Sequence, residues 1–408
     1  MDADIVIIGA GAAGIAAARR LAGAPLRVVT LEAAPRLGGR AWTCELAGLL
    51  LDFGCEWLHS APRNPWTALA EKSGLTLDRS TPAWHEQFDD LGFSAPERAA
   101  AYRAYEDWLE RLAAGPAGDC AAAALEPEGE WNGFVRSMCG YISGARPENM
   151  SAADYAAYEA AAGDDNWRVR EGFGTLVASN WPVRADLRLA TPVRALTLEA
   201  GGVRLATPFG DLRAKAVIVT VATNVLASGA LALPPELEAW RAAAAHLPLG
   251  LNEKLFFEVG DGAPFAPESH VLGDPRAPGA GSAYLRPYGW PVAEVFLGGE
   301  GAQALAEEGP AAGFATALDE LVRLFGADIR RHLRPLAATL WSRTGWIGGA
   351  YSSATPGHFS ARAALARPFD GRVFFAGEAT DPRDFTTAHG AFASGVRAAE
   401  EALAALGK

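Results

Sequence analysis

Near the N-terminus the run Ile5-Val6-Ile7-Ile8 passes directly into Gly9-Ala10-Gly11-Ala12-Ala13-Gly14. A continuous β-branched run suits a parallel strand buried on both faces. Gly9 permits the tight turn that follows, Gly11 lets the backbone approach a pyrophosphate, and Gly14 lets the next helix pack closely on the sheet. That helix, expected from about Ala12 to Leu21, turns its free N–H groups and favourable dipole toward the anion. A second apolar strand over 26–31 ends at Glu32, whose carboxylate can accept both hydroxyls of an adenosine ribose. Strand, glycines, helix, strand and acid in register restrict the chain to an α/β fold with a Rossmann-like dinucleotide-binding domain.

The 408 residues, half of them hydrophobic, suffice for two or three domains. Between about 80 and 162 the texture becomes Ala, Glu, Arg, Tyr and Trp at helical spacing, which predicts a helical insertion. Short strands are expected at 187–190, 203–206, 217–221, 255–259 and 293–297, then a helix at 313–325. A last strand at 373–376 and a closing helix from about 390 to 406 follow. Sheet pieces at both ends and in the middle imply two interleaved domains. Residues 1–78, 172–240 and 340–408 form a discontinuous cofactor domain. Residues 79–171 and 241–339 form an α+β substrate-binding domain that carries the helical insertion.

A net charge of −12 and no basic run longer than a dipeptide exclude a nucleic-acid footprint, which needs Lys/Arg clusters to displace phosphate counterions. Cys44, Cys55, Cys120 and Cys139 form no CxxC pair, and no spacing suggests a metal site; the expectation is a reducing, cytoplasmic compartment. The longest uncharged stretch, 216–235, is broken by Thr, Asn, Ser and Gly and ends in Pro-Pro. It reads as a strand and a loop, so no membrane anchor is expected there or after the final helix. Oligomeric state is not legible.

The segment Glu32-Ala33-Ala34-Pro35-Arg36-Leu37-Gly38-Gly39-Arg40 resembles the E-x(3)-R-x-G-G-R segment of the FAD-containing amine oxidase superfamily. The resemblance implies FAD, with the main chain at Gly38 and Gly39 against it and Arg36 or Arg40 reaching a phosphate. It continues at Asp52-Phe53-Gly54-Cys55-Glu56-Trp57-Leu58-His59, which is similar to a run in polyamine oxidases and implies a pocket histidine at His59. Glu56 and Trp57 join it as pocket residues. Amino-acid oxidases of the superfamily carry an arginine in this turn for the substrate carboxylate. Gly54-Cys55-Glu56-Trp57 has none, which disfavours an α-amino acid.

Lys254, inside the apolar Leu251–Phe257 stretch, resembles the lysine that holds a water against flavin N5. The Trp341 to Ser352 segment matches the family's W…G-[SGA]-x-Y-[ST] pattern. It implies Tyr351 as an aromatic wall, with Trp341 in the pocket and Trp346 at the cofactor. Monoamine oxidases tether FAD through a cysteine before this tyrosine. Ala350 stands there and no cysteine is near it in sequence, so non-covalent FAD is expected. Phe375-Ala376-Gly377-Glu378-Ala379-Thr380 and His389-Gly390-Ala391 complete the signature. Gly377, Glu378, Thr387 and Ala388 are implied cofactor contacts, with Ala13 and Val193, and the dipole of the closing helix favours the charge of reduced flavin. Thr387 also replaces the second cage tyrosine of monoamine oxidases, a polyamine-oxidase trait. Val221-Ala222 departs from the family's proline.

The resemblance implies oxidation of a primary or secondary (poly)amine. A hydride passes to flavin N5, O2 becomes H2O2, and the imine hydrolyses to an aldehyde; the catalytic residues expected are Lys254, Tyr351 and His59. A flavin desaturase or porphyrinogen-type oxidase would share the glycines and Glu32 without needing Lys254 or Tyr351. An amine dehydrogenase would keep every motif and use an acceptor other than O2. A flavoprotein holding FAD only as structural support would bleach with no amine.

Overall fold

The β-branched run lies in the strand Ala3–Ile8, at the centre of a seven-stranded sheet. Ile5, Val6 and Ile7 are fully buried. On one side the strand pairs in parallel with Val28–Leu31 and, through it, Asp186–Arg188. On the other it pairs in parallel with Gly210–Val219, whose end also pairs with Val373–Phe375. The first half of that long strand turns antiparallel partners outward, Gly202–Thr207 and then Ala195–Glu199. The computed structural model, which describes residues 1–408, thus assembles the sheet from both ends and the middle of the chain.

The helices Ala12–Leu21 and Ala388–Ala405 cover one face of this sheet and pack on each other. Small residues permit the approach: a Cβ on Gly395 would lie 2.1 Å from the Ala13 carbonyl oxygen. No helix is long and apolar enough to cross a membrane.

A second sheet is antiparallel, in the order Ser269–Leu272, Ser282–Leu285, Val292–Gly298, Asn252–Val259, Leu333–Ala338. Leu255, Phe257, Val295 and Leu297 point from one face onto a core shared with the helix Pro310–Phe325. Alternation along the strands therefore turns Lys254, Phe256 and Glu294 to the opposite face, and the register sets Tyr284 beside Glu294.

The insertion is helical as expected. Ala95–Ala113, Asn132–Ser143 and Ala152–Ala161 pack around Tyr105, Trp108, Phe134 and Tyr155. A small sheet of Trp57–Leu58, Trp167–Val169 and Leu77–Asp78 draws its strands from both sides of the expected domain boundary. One buried ion pair ties the insertion to the C-terminal segment. Arg362 donates from Nε and Nη2 to the two oxygens of Asp154, at 2.6 and 2.8 Å, and both side chains are under 5 % exposed.

Candidate active site

The dinucleotide cradle is built as its sequence requires, and its glycines divide into two kinds. A Cβ on Gly9 would meet Thr220 Oγ1 at 2.5 Å, and one on Gly14 would meet the Gly9 carbonyl oxygen at 2.0 Å, so the protein itself demands these two. At Gly11 the nearest atoms would be 3.8 Å away, on Gly38 and Gly39. Nothing in the protein forbids a side chain there, and the space beside Gly11 suits a ligand. The helix Ala12–Leu21 has no side-chain cap, which leaves its first N–H groups for an anion. Glu32 accepts from Ala10 N at 2.6 Å and Ala34 N at 2.7 Å, one bond to each oxygen, so each keeps a lone pair for a ribose hydroxyl. These residues fit the adenosine diphosphate half of FAD.

Arg36 and Arg40 are seated by protein groups. Arg36 lies 4.5 Å over the Trp42 ring. Arg40 donates to the Ala350 carbonyl oxygen and to Glu378 Oε1. Glu378 departs from its expected task. Arg40 and Ser352 N serve one oxygen, and Ser352 Oγ and Thr386 N serve the other. All four lone-pair positions are filled, which leaves none for a ribityl hydroxyl. Burial pulls its pKa up, but Arg40 and Arg362 outweigh that and hold it below the usual carboxylate range. Glu378 shapes the site and Gly377 faces it, at φ +137 with open space where a Cβ would stand.

Thr387 also differs from expectation. Its hydroxyl donates to Asp384 O at 2.5 Å and accepts from Gly390 N at 3.0 Å, so it caps the closing helix. Ala388 begins that helix. Trp341 is buried against Trp42, and its indole N–H donates to Phe53 O at 2.8 Å. Trp346 is 48 % exposed. Val193 packs on the core of the first sheet.

Lys254 is enclosed. Its Nζ donates to Asp52 O at 3.0 Å and pairs with Glu56 Oε2 and Glu294 Oε1, each at 2.7 Å. Burial opposes the ammonium, but Glu294 and Glu56 outweigh it and raise its pKa, so Lys254 stays charged. Three full charges would leave a net negative charge in a dry interior. Burial and the neighbouring Glu56 push Glu294 up to about 8. Glu56 moves the other way: burial is outweighed by Lys254, and it stays below the usual range.

Strand and turn geometry hold this cluster. Glu253 accepts from Trp341 N and Ser342 N, both at 2.9 Å, and fixes the turn that leads to Tyr351. Tyr351 O accepts from Gly250 N at 2.8 Å. The Tyr351 hydroxyl is raised by burial and by Cys55, against the charge of Lys254. Cys55, distant in sequence, is thus brought near the Tyr351 hydroxyl by the fold. Burial pushes that thiol up to about 11, so at neutral pH it is protonated and not a nucleophile.

Beyond the lysine lies an aromatic wall. Trp57 packs on Trp84 and Tyr284, with ring centroids 4.5 and 6.3 Å apart. His59 Nδ1 meets Asn166 Oδ1 at 2.7 Å, and burial lowers its pKa, which keeps the ring neutral. Arg168 sits 5.1 Å from the Trp57 ring and 4.3 Å from that of Tyr288, paired to Asp78 and Glu268. The structure brings Lys254, Glu56 and Tyr351 together, with Trp57 and His59 alongside.

The sequence reading missed Glu294, Glu253 and Arg168. Glu294 is, like Lys254, a lone charge in an apolar strand, but no family motif marked it.

Over residues 12–403 the chain matches the family described as flavin containing amine oxidoreductase. It belongs to that family. It is an oxidoreductase that acts on amines, and its cofactor is FAD. Polyamine oxidase 4 of Oryza sativa subsp. japonica is 27 % identical, over 98 % of this chain and 88 % of that protein. Pseudooxynicotine dehydrogenase of a Pseudomonas species is 43 % identical over 97 residues, 24 % of this chain and 17 % of that protein. Cyclohexylamine oxidase from Brevibacterium oxydans superposes with a TM-score of 0.82 at 22 % identity, over 100 % of both chains, which shows the fold.

Proposed function

We propose that this flavoprotein oxidises a primary or secondary amine, including polyamines, at the carbon that bears nitrogen. The product is an imine, which water hydrolyses to an aldehyde, and O2 is reduced to H2O2. When bound, FAD supplies the acceptor for the two electrons and the hydrogen that leave that carbon. The observation that most supports this reading is the buried Lys254 between Glu56 and Glu294, beside Tyr351. Lys254 and its two carboxyl partners give the pocket one polar end, toward which the amino group of a substrate can turn. The walls of Trp57, Tyr284 and Tyr351 exclude water and confine the alkyl chain. Glu32 and the uncapped helix Ala12–Leu21 hold the cofactor.

The test is peroxide release from spermine, spermidine, 1,4-diaminobutane, benzylamine and cyclohexylamine, followed by anaerobic bleaching of the flavin by the best of them. Lys254→Met and Tyr351→Ala are expected to slow bleaching by about 10²-fold or more, the scale of positioned catalytic groups. Unchanged rates in both variants would sink the site assignment. The local likeness to a dehydrogenase favours one second reading, an acceptor other than O2. Bleaching by amine without peroxide, and fast reoxidation by an artificial acceptor, would select it.

A further inference from the structure

The small sheet that carries Trp57–Leu58 and Trp167–Val169 sets Trp57 opposite Arg168. That guanidinium is 2 % exposed. Its Nη2 donates to Asp78 Oδ2 at 2.5 Å and to Glu268 Oε2 at 2.8 Å, while its Nη1 is buried with no hydrogen-bond partner. The Tyr288 hydroxyl is also buried and unpaired, on a ring whose centroid lies 4.3 Å from the guanidinium carbon. An unpaired buried donor is costly, most of all on a charged group. Two of them on neighbouring side chains call for a shared partner.

These donors adjoin the pocket already described. Arg168 stands 5.1 Å from the Trp57 ring and 5.2 Å from that of Tyr284, and Tyr284 pairs across the strands with Glu294, the partner of Lys254. Trp57, Tyr284 and Tyr288 are each half-buried, so their rings border open space. The turn Pro287–Gly289 holds Tyr288 at φ +56, a conformation that side chains rarely adopt, and its N–H is tied to Glu268 Oε1. Charge then selects what can dock. Asp78 and Glu268 both pair with the one guanidinium, so a third carboxylate would meet an excess of negative charge, whereas a neutral oxygen would not. Burial raises the Tyr288 hydroxyl, which therefore remains a proton donor.

We propose that Arg168 Nη1 and the Tyr288 hydroxyl bind a neutral oxygen acceptor, a ketone or amide carbonyl, carried by the substrate at the end away from its amine. The inference rests on the amine-oxidising reading above and narrows the substrate class to an amine with a carbonyl several bonds from the reacting carbon. A carbonyl oxygen has two lone pairs, one for each donor. The amino end turns to Lys254 and its carboxyl partners, and the alkyl linker lies along Trp57 and Tyr284.

The experiment is stopped-flow bleaching of the FAD-loaded enzyme, without oxygen, by three matched sets of amines. One set is 4-aminobutanamide, 5-aminopentanamide and 6-aminohexanamide. The others are the corresponding ω-amino acids and the hydrocarbon isosteres, such as 6-methylheptylamine for 6-aminohexanamide. At the best chain length the amide is expected to half-saturate the enzyme at a concentration at least about tenfold below its isostere, since a site built for hydrogen bonds rejects a partner without them. The amino acid should be at least about tenfold worse than the amide, because it brings a further charge to a paired site. Tyr288→Phe removes only the hydroxyl, and Arg168→Lys keeps the charge that Asp78 and Glu268 need but not the forked donors. In both variants the ratio of isostere to amide should fall several-fold, toward unity. Taking that ratio within one protein cancels any loss of folded or FAD-loaded enzyme. Equal amide and isostere in the wild type at every length, or a ratio that survives both variants, overturns the proposal and leaves Arg168 as a structural clamp. A preference for the amino acid overturns it too. If no amine bleaches the wild type, the amine-oxidising reading itself fails, an outcome distinct from all of these.

Discussion

His270 sits on the second sheet, 4 % exposed, with Nδ1 donating to Glu86 O at 3.0 Å and Nε2 accepting from Ser282 Oγ at 2.8 Å. Both bonds suit the neutral ring, and burial lowers its pKa to about 4. Between pH 6.5 and 4 the unfolded chain binds the proton and the folded one does not, so stability falls as pH falls through that window. The loss is about 3 kcal/mol at most. Asp52, pushed up to about 6 by burial, works in the opposite sense, because its folded form binds the proton first. The measurement is therefore a difference. Wild type minus His270→Asn, by denaturant unfolding, should shrink by about 3 kcal/mol from pH 7 to pH 4. A difference independent of pH would mean the ring is already protonated or exposed. These charges also mark the limit of the sequence. Lys254 was legible through its resemblance to the family's lysine strand, but its partners are 198 and 40 residues away along the chain and became visible only when the strands paired.

The glycine turn between Ala3–Ile8 and Ala12–Leu21 is the element on which the cofactor depends, and it was readable in full. Its requirements are local: a sharp turn, an approach to a phosphate, a close helix. Gly14→Ala puts a methyl 2.0 Å from the Gly9 carbonyl oxygen, which is backbone and cannot yield. Overpacking of this kind costs about 1–3 kcal/mol. FAD retention, followed by flavin fluorescence on dilution, should weaken by roughly 10- to 100-fold. Retention equal to wild type would place the cofactor elsewhere. The second sheet was only half legible. Strands at 255–259 and 293–297 were expected because they are apolar, and they lie within Asn252–Val259 and Val292–Gly298, whereas Ser269–Leu272, Ser282–Leu285 and Leu333–Ala338 are short or carry exposed polar residues. Ladder hydrogen bonds to their neighbours hold them, and pairing of that kind has no single-segment signature.

For the whole molecule the decisive contact is the Asp154–Arg362 pair, which locks the helical insertion to the segment bearing Ser352 and Glu378. Arg362 Nη1 also donates to Ser352 Oγ at 2.9 Å, and Ser352 donates to Glu378 at 2.6 Å. Breaking one partner of a buried pair strands the other, at about 3–5 kcal/mol. Asp154→Ala should lower the thermal midpoint and release FAD before the chain unfolds. Loss of the midpoint alone, with FAD kept to the end, would show that the insertion does not support the site. This bolt was not legible along the chain, since both of its ends lie in unremarkable helical text.

The same interleaving bears on how the protein is made. The strand Val373–Phe375 and the helix Ala388–Ala405 close a sheet and a helix pair whose first members lie near residue 10. On a ribosome the glycine turn emerges long before Val373–Phe375, and its sheet keeps an unpaired edge until that strand appears. Until then the nascent chain exposes a strand edge of the kind that invites wrong partners. Folding yield in a cell-free reaction should therefore depend on chaperones during synthesis, and on added FAD only after release.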